Sequence, residues 1–335
     1  MPTENFQLLL RSRPKGPISG ENFEMVRRPL PEMAEGQALA RVRYISVDPT
    51  MRIWMSDRES YVPPVAIGDV MRAPGIAEVV SSRHAEFKEG DMVFGLVGFQ
   101  EYVLIREKEL LPYRKLPTNL GIPVTAFLSI LGHTGITAYF GMMEIAKPKP
   151  GEMLVVSAAA GATGSVAGQI GKIAGCRVVG IAGGETKCAW LTNELGFDHA
   201  IDYKQPGWKE RLGTACPRGV DINYENVGGD IMHAVMSHMN LFGRIVVCGL
   251  ISSYNAEEPE LESFSLVLIR RLRVQGFVVT DYAARFDEAI TQLAQWYAAG
   301  KLKDRETIVE GLSRAPEALG MLFTGQNIGK LIVRL

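Results

Sequence analysis

The stretch Met153-Leu-Val-Val-Ser-Ala-Ala-Ala-Gly161-Ala-Thr-Gly164-Ser-Val-Ala-Gly168 decides the fold of this chain. Its apolar residues predict a buried strand, its glycines a tight turn, and the residues from Gly164 onward a helix. In such a strand–turn–helix unit, Gly161 lets the backbone approach a pyrophosphate and Gly164 permits close packing of the helix on the strand. The helix N-terminus adds N–H groups and a positive dipole. The stretch therefore predicts dinucleotide binding; the alternative is a turn that only packs a helix on a sheet.

Working outward, residues 124–299 alternate between apolar runs and helical windows, which is typical of a parallel sheet covered on both faces. We predict strands at 153–159, 177–181, 200–203, 220–224 and 244–248, and helices at 164–175, 186–196 and 229–240. The fold class is therefore α/β, with a Rossmann-type doubly wound parallel sheet as the dinucleotide-binding domain at 124–299.

The flanking segments predict a second, mostly β domain. Short strands are expected at 38–46, 75–80, 92–97 and 102–105, each bounded by Pro, Gly or Asp. The segment 328–334 returns to a strand-like pattern, so we expect it to rejoin the first segment. This predicts a discontinuous, GroES-like barrel domain for substrate and catalysis, formed by residues 1–123 and 300–335.

Charge and composition restrict the class of partner. The 335 residues include 36 basic and 37 acidic side chains, for a net charge of −1, which argues against a nucleic-acid binder. The uncharged stretch 121–143 contains Pro123, glycines and His133, which argue against a membrane span. With no basic-then-apolar leader at its start, the chain is expected to be cytoplasmic.

Cysteine and histidine positions predict the absence of a metal site. Cys176, Cys188, Cys216 and Cys248 show no C-x-x-C spacing, so we expect them to be buried, reduced thiols. No cysteine precedes residue 176, so the β-rich domain offers no thiolate for zinc. The prediction is a zinc-independent protein.

The end of the second strand indicates which dinucleotide is bound. An NAD site places an acidic residue there, on the ribose 2′-hydroxyl. Here the strand runs into Gly183-Gly184, with Lys187 shortly beyond. The glycine pair leaves room for a 2′-phosphate and Lys187 can neutralise its charge, so NADPH is predicted over NADH.

Several motifs together resemble a known family. They are Val47-Asp-Pro-Thr-Met-Arg52, Ser60-Tyr-Val-Pro-Pro64, Gly180-Ile-Ala-Gly-Gly-Glu-Thr-Lys187, Tyr224-Glu-Asn-Val-Gly-Gly229, Cys248-Gly-Leu-Ile-Ser-Ser-Tyr-Asn255, Gln275-Gly-Phe-Val-Val279 and Gly325-Gln-Asn-Ile-Gly-Lys330. With the glycine-rich turn, they make the chain similar to the zinc-independent branch of the medium-chain dehydrogenase/reductase superfamily. The likeness is greatest to its prostaglandin reductase and alkenal double-bond reductase group, and within it to bacterial NADPH-dependent curcumin reductases.

This resemblance implies an NADPH-dependent reductase of α,β-unsaturated ketones and aldehydes, and a homodimer. It implies that Lys187 and Tyr203 hold the 2′-phosphate region. Asn226 would then contact the ribose or nicotinamide side, and Thr137 would face the nicotinamide. The other implied coenzyme contacts are Ala160, Gly161, Ala162, Thr163, Gly164, Gly183, Cys248, Gly249, Leu250, Ile251, Ser252, Ser253, Tyr254, Phe277, Val278, Val279 and Asn327.

The proton donor is where the chain departs from plant and mammalian relatives. Two of their tyrosines are replaced here by Ile269 and Thr50. The phenols left as catalytic candidates are Tyr254, ranked first, and Tyr61 and Tyr282 on the substrate side. Two other functions stay open: an NADPH-dependent quinone reductase and a catalytically silent NADPH-binding sensor.

Overall fold

The computed structural model describes residues 3–58, 60–106, 112–118, 121–256 and 264–335. The chain divides into two compact units, residues 1–128 with 306–335 and residues 129–305. The strands are β1 Glu4–Leu10, β2 Phe23–Pro29, β3 Ala38–Val47, β4 Pro74–Ser82, β5 Met92–Leu96, β6 Tyr102–Ile105, β7 Arg114–Lys115, β8 Met153–Val156, β9 Arg177–Ala182, β10 His199–Asp202, β11 Val220–Glu225, β12 Met239–Val247, β13 Arg273–Gly276, β14 Glu306–Glu310 and β15 Lys330–Arg334.

The α-helices are α1 Met51–Trp54, α2 His133–Phe140, α3 Ala162–Ile173, α4 Glu185–Asn193, α5 Trp208–Ala215, α6 Gly229–Ser237, α7 Ser265–Arg270, α8 Phe286–Ala298 and α9 Ala315–Thr324. A π-helical turn, Gly141–Ala146, follows α2 directly. Among the described residues, no helix has the length and apolar character needed to cross a bilayer.

The second unit contains a six-stranded parallel sheet in the order β10-β9-β8-β11-β12-β13. Val155 and Val179 on one face belong to the same buried cluster as Leu212 of α5 and Val235 of α6. On the other face α3 lies so close that a Cβ at Gly171 would come within 2.3 Å of Leu154 Cδ2. Helices therefore cover both faces, and the predicted doubly wound α/β fold is confirmed.

The first unit is mostly β. Seven strands form a mixed sheet, with β14-β15-β3-β4-β5-β7 in line and β6 also paired to β3; β1 and β2 form a separate hairpin. Strand β15 pairs antiparallel with β3, placing Leu331 opposite Val47. The Lys330 ammonium, 1% exposed, donates to Val47 O at 2.8 Å and pairs with the Asp48 carboxylate at 2.9 Å.

Several element ends differ from those that the sequence predicts. Helix α3 begins at Ala162 rather than Gly164, because Gly161 is its N-cap. Strand β8 ends at Val156, since the following residues form the turn, and β12 begins at Met239 rather than 244. The units divide at 128/129 and 305/306, whereas the predicted domains divide at 123/124 and 299/300.

The cysteines are all free thiols, but only two are buried as predicted. Cys176 and Cys216 lie in the core, and burial raises the pKa of each to about 11. Cys188, on α4, and Cys248, just beyond β12, are only partly buried.

Candidate functional site

Four parallel strands end side by side at the carboxyl edge of the second unit's sheet. Their register aligns Val156 with Tyr224, Glu225 with Val247, and Val247 with Gly276. The turns after β8, β11, β12 and β13 therefore begin at one edge, where open α/β sheets bind ligands.

Backbone hydrogen bonds hold the turn after β8 in place. Gly161 N donates to Ala158 O at 2.9 Å, and Ala159 N donates to Ile181 O at 3.0 Å. Ala158 adopts a left-handed φ of 46°, and a Cβ on Gly164 would lie 2.5 Å from Ala158 O. The close approach brings the first turn of α3 to the sheet edge. Its N–H groups there have no carbonyl in their own helix and suit a pyrophosphate.

The predicted residues Gly183, Lys187 and Tyr203 come together at the end of β9. A Cβ on Gly183 would lie 2.9 Å from Lys204 Cε and 3.0 Å from Tyr203 Cε1, so any larger residue would fill this space. Lys187, in the first turn of α4, has a pKa below that of an ordinary lysine because of burial and the positive charge of Lys204. Lys204 thus lies beside Gly183, and Lys187 is close enough to Lys204 for the two positive charges to interact; such a pair of lysines next to a glycine suits a phosphate group.

Two residues outside the predicted set complete this corner. One is Lys204. The other is Asp202, whose Oδ1 accepts from Gly184 N at 2.9 Å and from Lys204 N at 3.0 Å. Burial raises the pKa of Asp202, but these donors outweigh it and the net shift is downward. Asp202 ends β10, so only the pairing of β10 with β9 identifies its position.

The turn after β11 contains the predicted residue Asn226. Its backbone N donates to Ser157 Oγ at 2.8 Å and its side-chain Nδ2 to Ser157 O at 2.7 Å. The loop after β12 is fastened to this turn, since Ile251 N donates to Asn226 O at 3.2 Å and Ser252 N to Val227 O at 3.0 Å.

The loop Cys248–Tyr254 is also tied to itself. The Tyr254 hydroxyl accepts from Leu250 N at 3.2 Å, and Ser253 Oγ donates to Leu250 O at 2.8 Å. Burial raises the pKa of Cys248 to about 11, so this thiol is not an activated nucleophile. The predicted residues Gly249, Ile251 and Ser252 complete the loop.

Thr137 turns its hydroxyl toward its own helix, α2. Its Oγ1 donates to His133 O at 2.6 Å, while its carbonyl accepts from the Tyr224 hydroxyl at 3.2 Å. Tyr224 is fully buried and also contacts the Cys248 thiol. Thr137 is thus linked through Tyr224 to the loop after β12.

Phe277, Val278 and Val279 follow β13, and Tyr282 lies in the next helical turn, Val279–Arg285. The Tyr282 ring stacks on Phe140 with centroids 4.4 Å apart and planes 8° apart, and it meets Phe277 edge-on at 6.4 Å. Arg285 lies over the Phe140 ring at 5.3 Å and pairs with Glu144 at 2.7 Å. Aromatic packing therefore fixes the Tyr282 ring.

The remaining predicted residues lie in the first unit. Tyr61 is 50% exposed and its hydroxyl contacts Thr50 Oγ1, so the threonine that replaces a family tyrosine is bonded to another phenol. Asn327 is buried and donates from Nδ2 to Gly329 O at 3.1 Å.

Among the described residues, no group of three or more His, Cys, Asp or Glu side chains is arranged to hold a metal ion.

Residues 7–112 match a family model described as the N-terminal domain of oxidoreductase. Residues 162–295 match one described as zinc-binding dehydrogenase.

Known proteins resemble the chain over nearly its whole length. It is 43% identical to the NADPH-dependent curcumin reductase of Escherichia coli (strain K12), covering 99% of this chain and 97% of that protein. It is 37% identical to the NADP(+)-dependent 2-alkenal reductase of Nicotiana tabacum, covering 98% and 97%. The crystal structure of CurA from Vibrio vulnificus in complex with NADPH superposes with a TM-score of 0.92, at 43% identity and 98% coverage of both chains. The resemblance read from the motifs is thereby confirmed, and the chain belongs to the medium-chain dehydrogenase/reductase family.

Proposed function

We propose that the chain is a cytoplasmic, NADPH-dependent reductase of the carbon–carbon double bond in α,β-unsaturated ketones and aldehydes. The observation that carries the coenzyme assignment is the corner at the end of β9, where Lys204 and Tyr203 lie beside Gly183 and the positive charges of Lys187 and Lys204 lie close to each other. The substrate class rests on the curcumin and 2-alkenal reductases to which the chain is similar.

Different residues of the second unit bind different parts of the coenzyme. The N–H groups at the start of α3 take the pyrophosphate, and Lys187 with Tyr203 takes the 2′-phosphate region. Asn226 and the loop Cys248–Tyr254 hold the ribose and nicotinamide side. NADPH, when bound, supplies the hydride that goes to the substrate's β-carbon.

As the β-carbon is reduced, negative charge develops on the substrate's carbonyl oxygen, so catalysis requires hydrogen-bond donors aimed at that oxygen. We assign this role first to the Tyr254 phenol. Its oxygen accepts from Leu250 N, which orients the phenol, and its hydroxyl is the donor that we assign to the developing oxyanion. Tyr61 and Tyr282 are proposed as substrate contacts.

A substrate panel tests the assignment. Anaerobic incubation with NADPH and 3-nonen-2-one, trans-2-nonenal, curcumin or 1,4-benzoquinone is followed by the loss of coenzyme absorbance. We expect turnover with the enone, the enal and curcumin, and product analysis should show a saturated carbon–carbon bond. Turnover of the quinone alone would support a quinone reductase. Coenzyme binding without any turnover would support a silent sensor.

We also propose a homodimer formed through the outer strand of the parallel sheet. All four residues of β13 are exposed, and Leu268 and Ile269 of the adjoining α7 are 78% and 61% exposed. An exposed strand edge pairs readily with its own copy around a two-fold axis. Light scattering should give the mass of two chains, and Leu268→Asp should give one. The control Ile67→Asp, at an exposed apolar residue of the first unit, should leave the dimer intact.

A further inference from the structure

Glu225 ends β11 at the middle of the parallel sheet and has no solvent exposure. Four neutral donors hold its carboxylate. Ser157 Oγ donates to Oε1 at 2.6 Å, and the backbone N–H groups of Val227 and Gly228 donate to the same oxygen at 2.7 and 2.9 Å. Asn223 Nδ2 donates to Oε2 at 2.9 Å.

These bonds connect the ends of neighbouring strands. Ser157, which donates to Glu225, follows β8 and also accepts from the backbone N of Asn226. The backbone carbonyl of Glu225 accepts from Cys248 N at 2.9 Å and Gly249 N at 3.1 Å, which follow β12. One residue thus joins the turns after β8, β11 and β12.

Glu225 is a costly residue to bury at this position. Burial raises its pKa above the ordinary value even though four hydrogen-bond donors surround the carboxyl group. Buried ionisable groups with a shifted pKa that lie at a ligand-binding edge are candidates for a functional role.

We propose that Glu225 is a positioning residue for the coenzyme: it sets the Asn226–Gly228 turn and the start of the Cys248–Tyr254 loop for the nicotinamide ribose. Asn226 already donates its amide N–H to Ser157 O, so it presents its Oδ1 acceptor to a ribose hydroxyl. This inference rests on the proposed coenzyme site at the same sheet edge.

Two substitutions of Glu225 distinguish the effect of its side-chain length from the effect of its charge. Glu225→Asp keeps the charge but withdraws the carboxylate by one methylene, so the N–H groups of Val227 and Gly228 lose their acceptor. Glu225→Gln keeps the reach, and Asn223 can turn its amide to accept from the new one, because Asn223 Oδ1 is buried with no hydrogen-bond partner among the described residues. If the length of the Glu225 side chain is what positions the turn, Glu225→Asp should weaken coenzyme binding more than Glu225→Gln.

The experiment measures the Kd for NADP⁺ by calorimetry and the Tm of the same variants. We expect Glu225→Asp to raise Kd by about tenfold, since two backbone N–H groups of the turn lose their acceptor, and Glu225→Gln to raise it by less than about threefold. Ser157→Ala, which removes one hydroxyl, should raise Kd severalfold and serves if the Asp variant fails to fold. The matched control Glu152→Gln lies at the other end of β8 and should lower Tm without changing Kd.

The possible outcomes distinguish a positioning role of Glu225 from a role of its charge and from a purely structural role. If Gln raises Kd more than Asp, the charge matters rather than the reach, and the proposal is wrong. If Glu225→Asp and Ser157→Ala lower Tm but leave Kd unchanged, Glu225 is only structural. Lys187→Ala tests the site itself: unchanged NADP⁺ affinity in that variant would contradict the coenzyme site, whereas weakened affinity there with normal Glu225 variants would overturn only the positioning role.

Discussion

At the amino edge of the parallel sheet, Glu152 pairs with Arg244 at 2.5 Å and Asp198 pairs with Lys172 at 2.7 Å. At the carboxyl edge, Lys187 lies near another lysine and Glu225 is held by neutral donors. Charges at the amino edge are thus paired with opposite charges, whereas at the carboxyl edge two lysines lie near each other and a buried carboxyl group is held by neutral donors alone. Charged groups held in such unfavourable surroundings are concentrated at functional sites. The difference supports our proposal that the carboxyl edge is the binding edge.

The largest expected effect comes from removing the Tyr254 hydroxyl at the carboxyl edge. Tyr254→Phe should lower kcat for an enone by ~10²–10³, since it removes one donor to the developing oxyanion. It also removes the acceptor of Leu250 N within the coenzyme loop, and NADPH affinity should change far less than kcat. Steady-state kinetics with saturating NADPH measure it. Tyr297→Phe, in which the lost hydroxyl bonds to Asp304 in the same unit, is the control and should retain its kcat.

The other two phenols give the contrary outcomes. Tyr61→Phe and Tyr282→Phe should act mainly on KM, as contacts made equally in ground and transition states do. If Tyr282→Phe loses kcat while Tyr254→Phe keeps it, the two roles are reversed. If all three variants stay active, the tyrosine assignment is wrong and the oxygen is held by the coenzyme ribose.

The next largest effect is expected when the positive charge of Lys187 is removed from the carboxyl edge. Lys187→Ala should weaken NADPH binding by about 1–3 kcal/mol, the range for a charge-assisted contact, and leave NADH binding nearly unchanged. Calorimetry with both coenzymes measures it. Equal losses for the two would mean that Lys187 supports folding or the pyrophosphate instead.

The amino edge should respond in the opposite way. Glu152→Gln weakens the ion pair with Arg244, whose side chain is 17% exposed, and should lower the free energy of unfolding by about 2 kcal/mol. Coenzyme affinity should not change, because the residue lies at the far end of β8. Urea unfolding and calorimetry on the same preparation test both halves; a large loss of NADPH affinity would remove the distinction between the edges.

A smaller effect concerns pH. Burial and the nearby charge of Lys204 lower the pKa of Lys187, so its ammonium is lost at a lower pH than that of an ordinary lysine. The preference for NADPH over NADH should therefore decline as the pH rises into the alkaline range. Lys187→Arg keeps its charge and should preserve the preference. The ratio of the two kcat/KM values across alkaline pH measures it. A ratio that falls equally in both proteins would exclude Lys187 as the titrating group.

The smallest expected effect is none. Exhaustive dialysis against EDTA should leave activity intact, and elemental analysis should find well under one zinc per chain. A stoichiometric zinc whose removal abolishes turnover would show that charged groups outside the described carboxyl edge carry the chemistry.

Local patterns were enough to predict the strand–turn–helix unit at 153–168, because burial, glycine conformation and helix initiation all act within about 16 residues. Glu225 could not be identified in this way. An acidic residue ending a strand is usually solvated, and only the pairing of β8 with β11 brings Ser157, 68 residues earlier, to its carboxylate. Asp202 and Lys204 likewise depend on how separate segments meet, since the pairing of β10 with β9 brings them to Gly184 and Gly183.

The pairing of β3 with β15 determines when the first unit can finish folding during synthesis. Lys330 and the Val47 carbonyl that it contacts are 283 residues apart in the chain. At ~5–20 residues per second, a ribosome needs roughly 15–60 s to make that interval. Throughout it, residues 44–47 of β3 lack the strand that pairs with them on one side, while the intervening second unit is made whole. We therefore expect the second unit to fold first, and the nascent first unit to be the segment that chaperones protect.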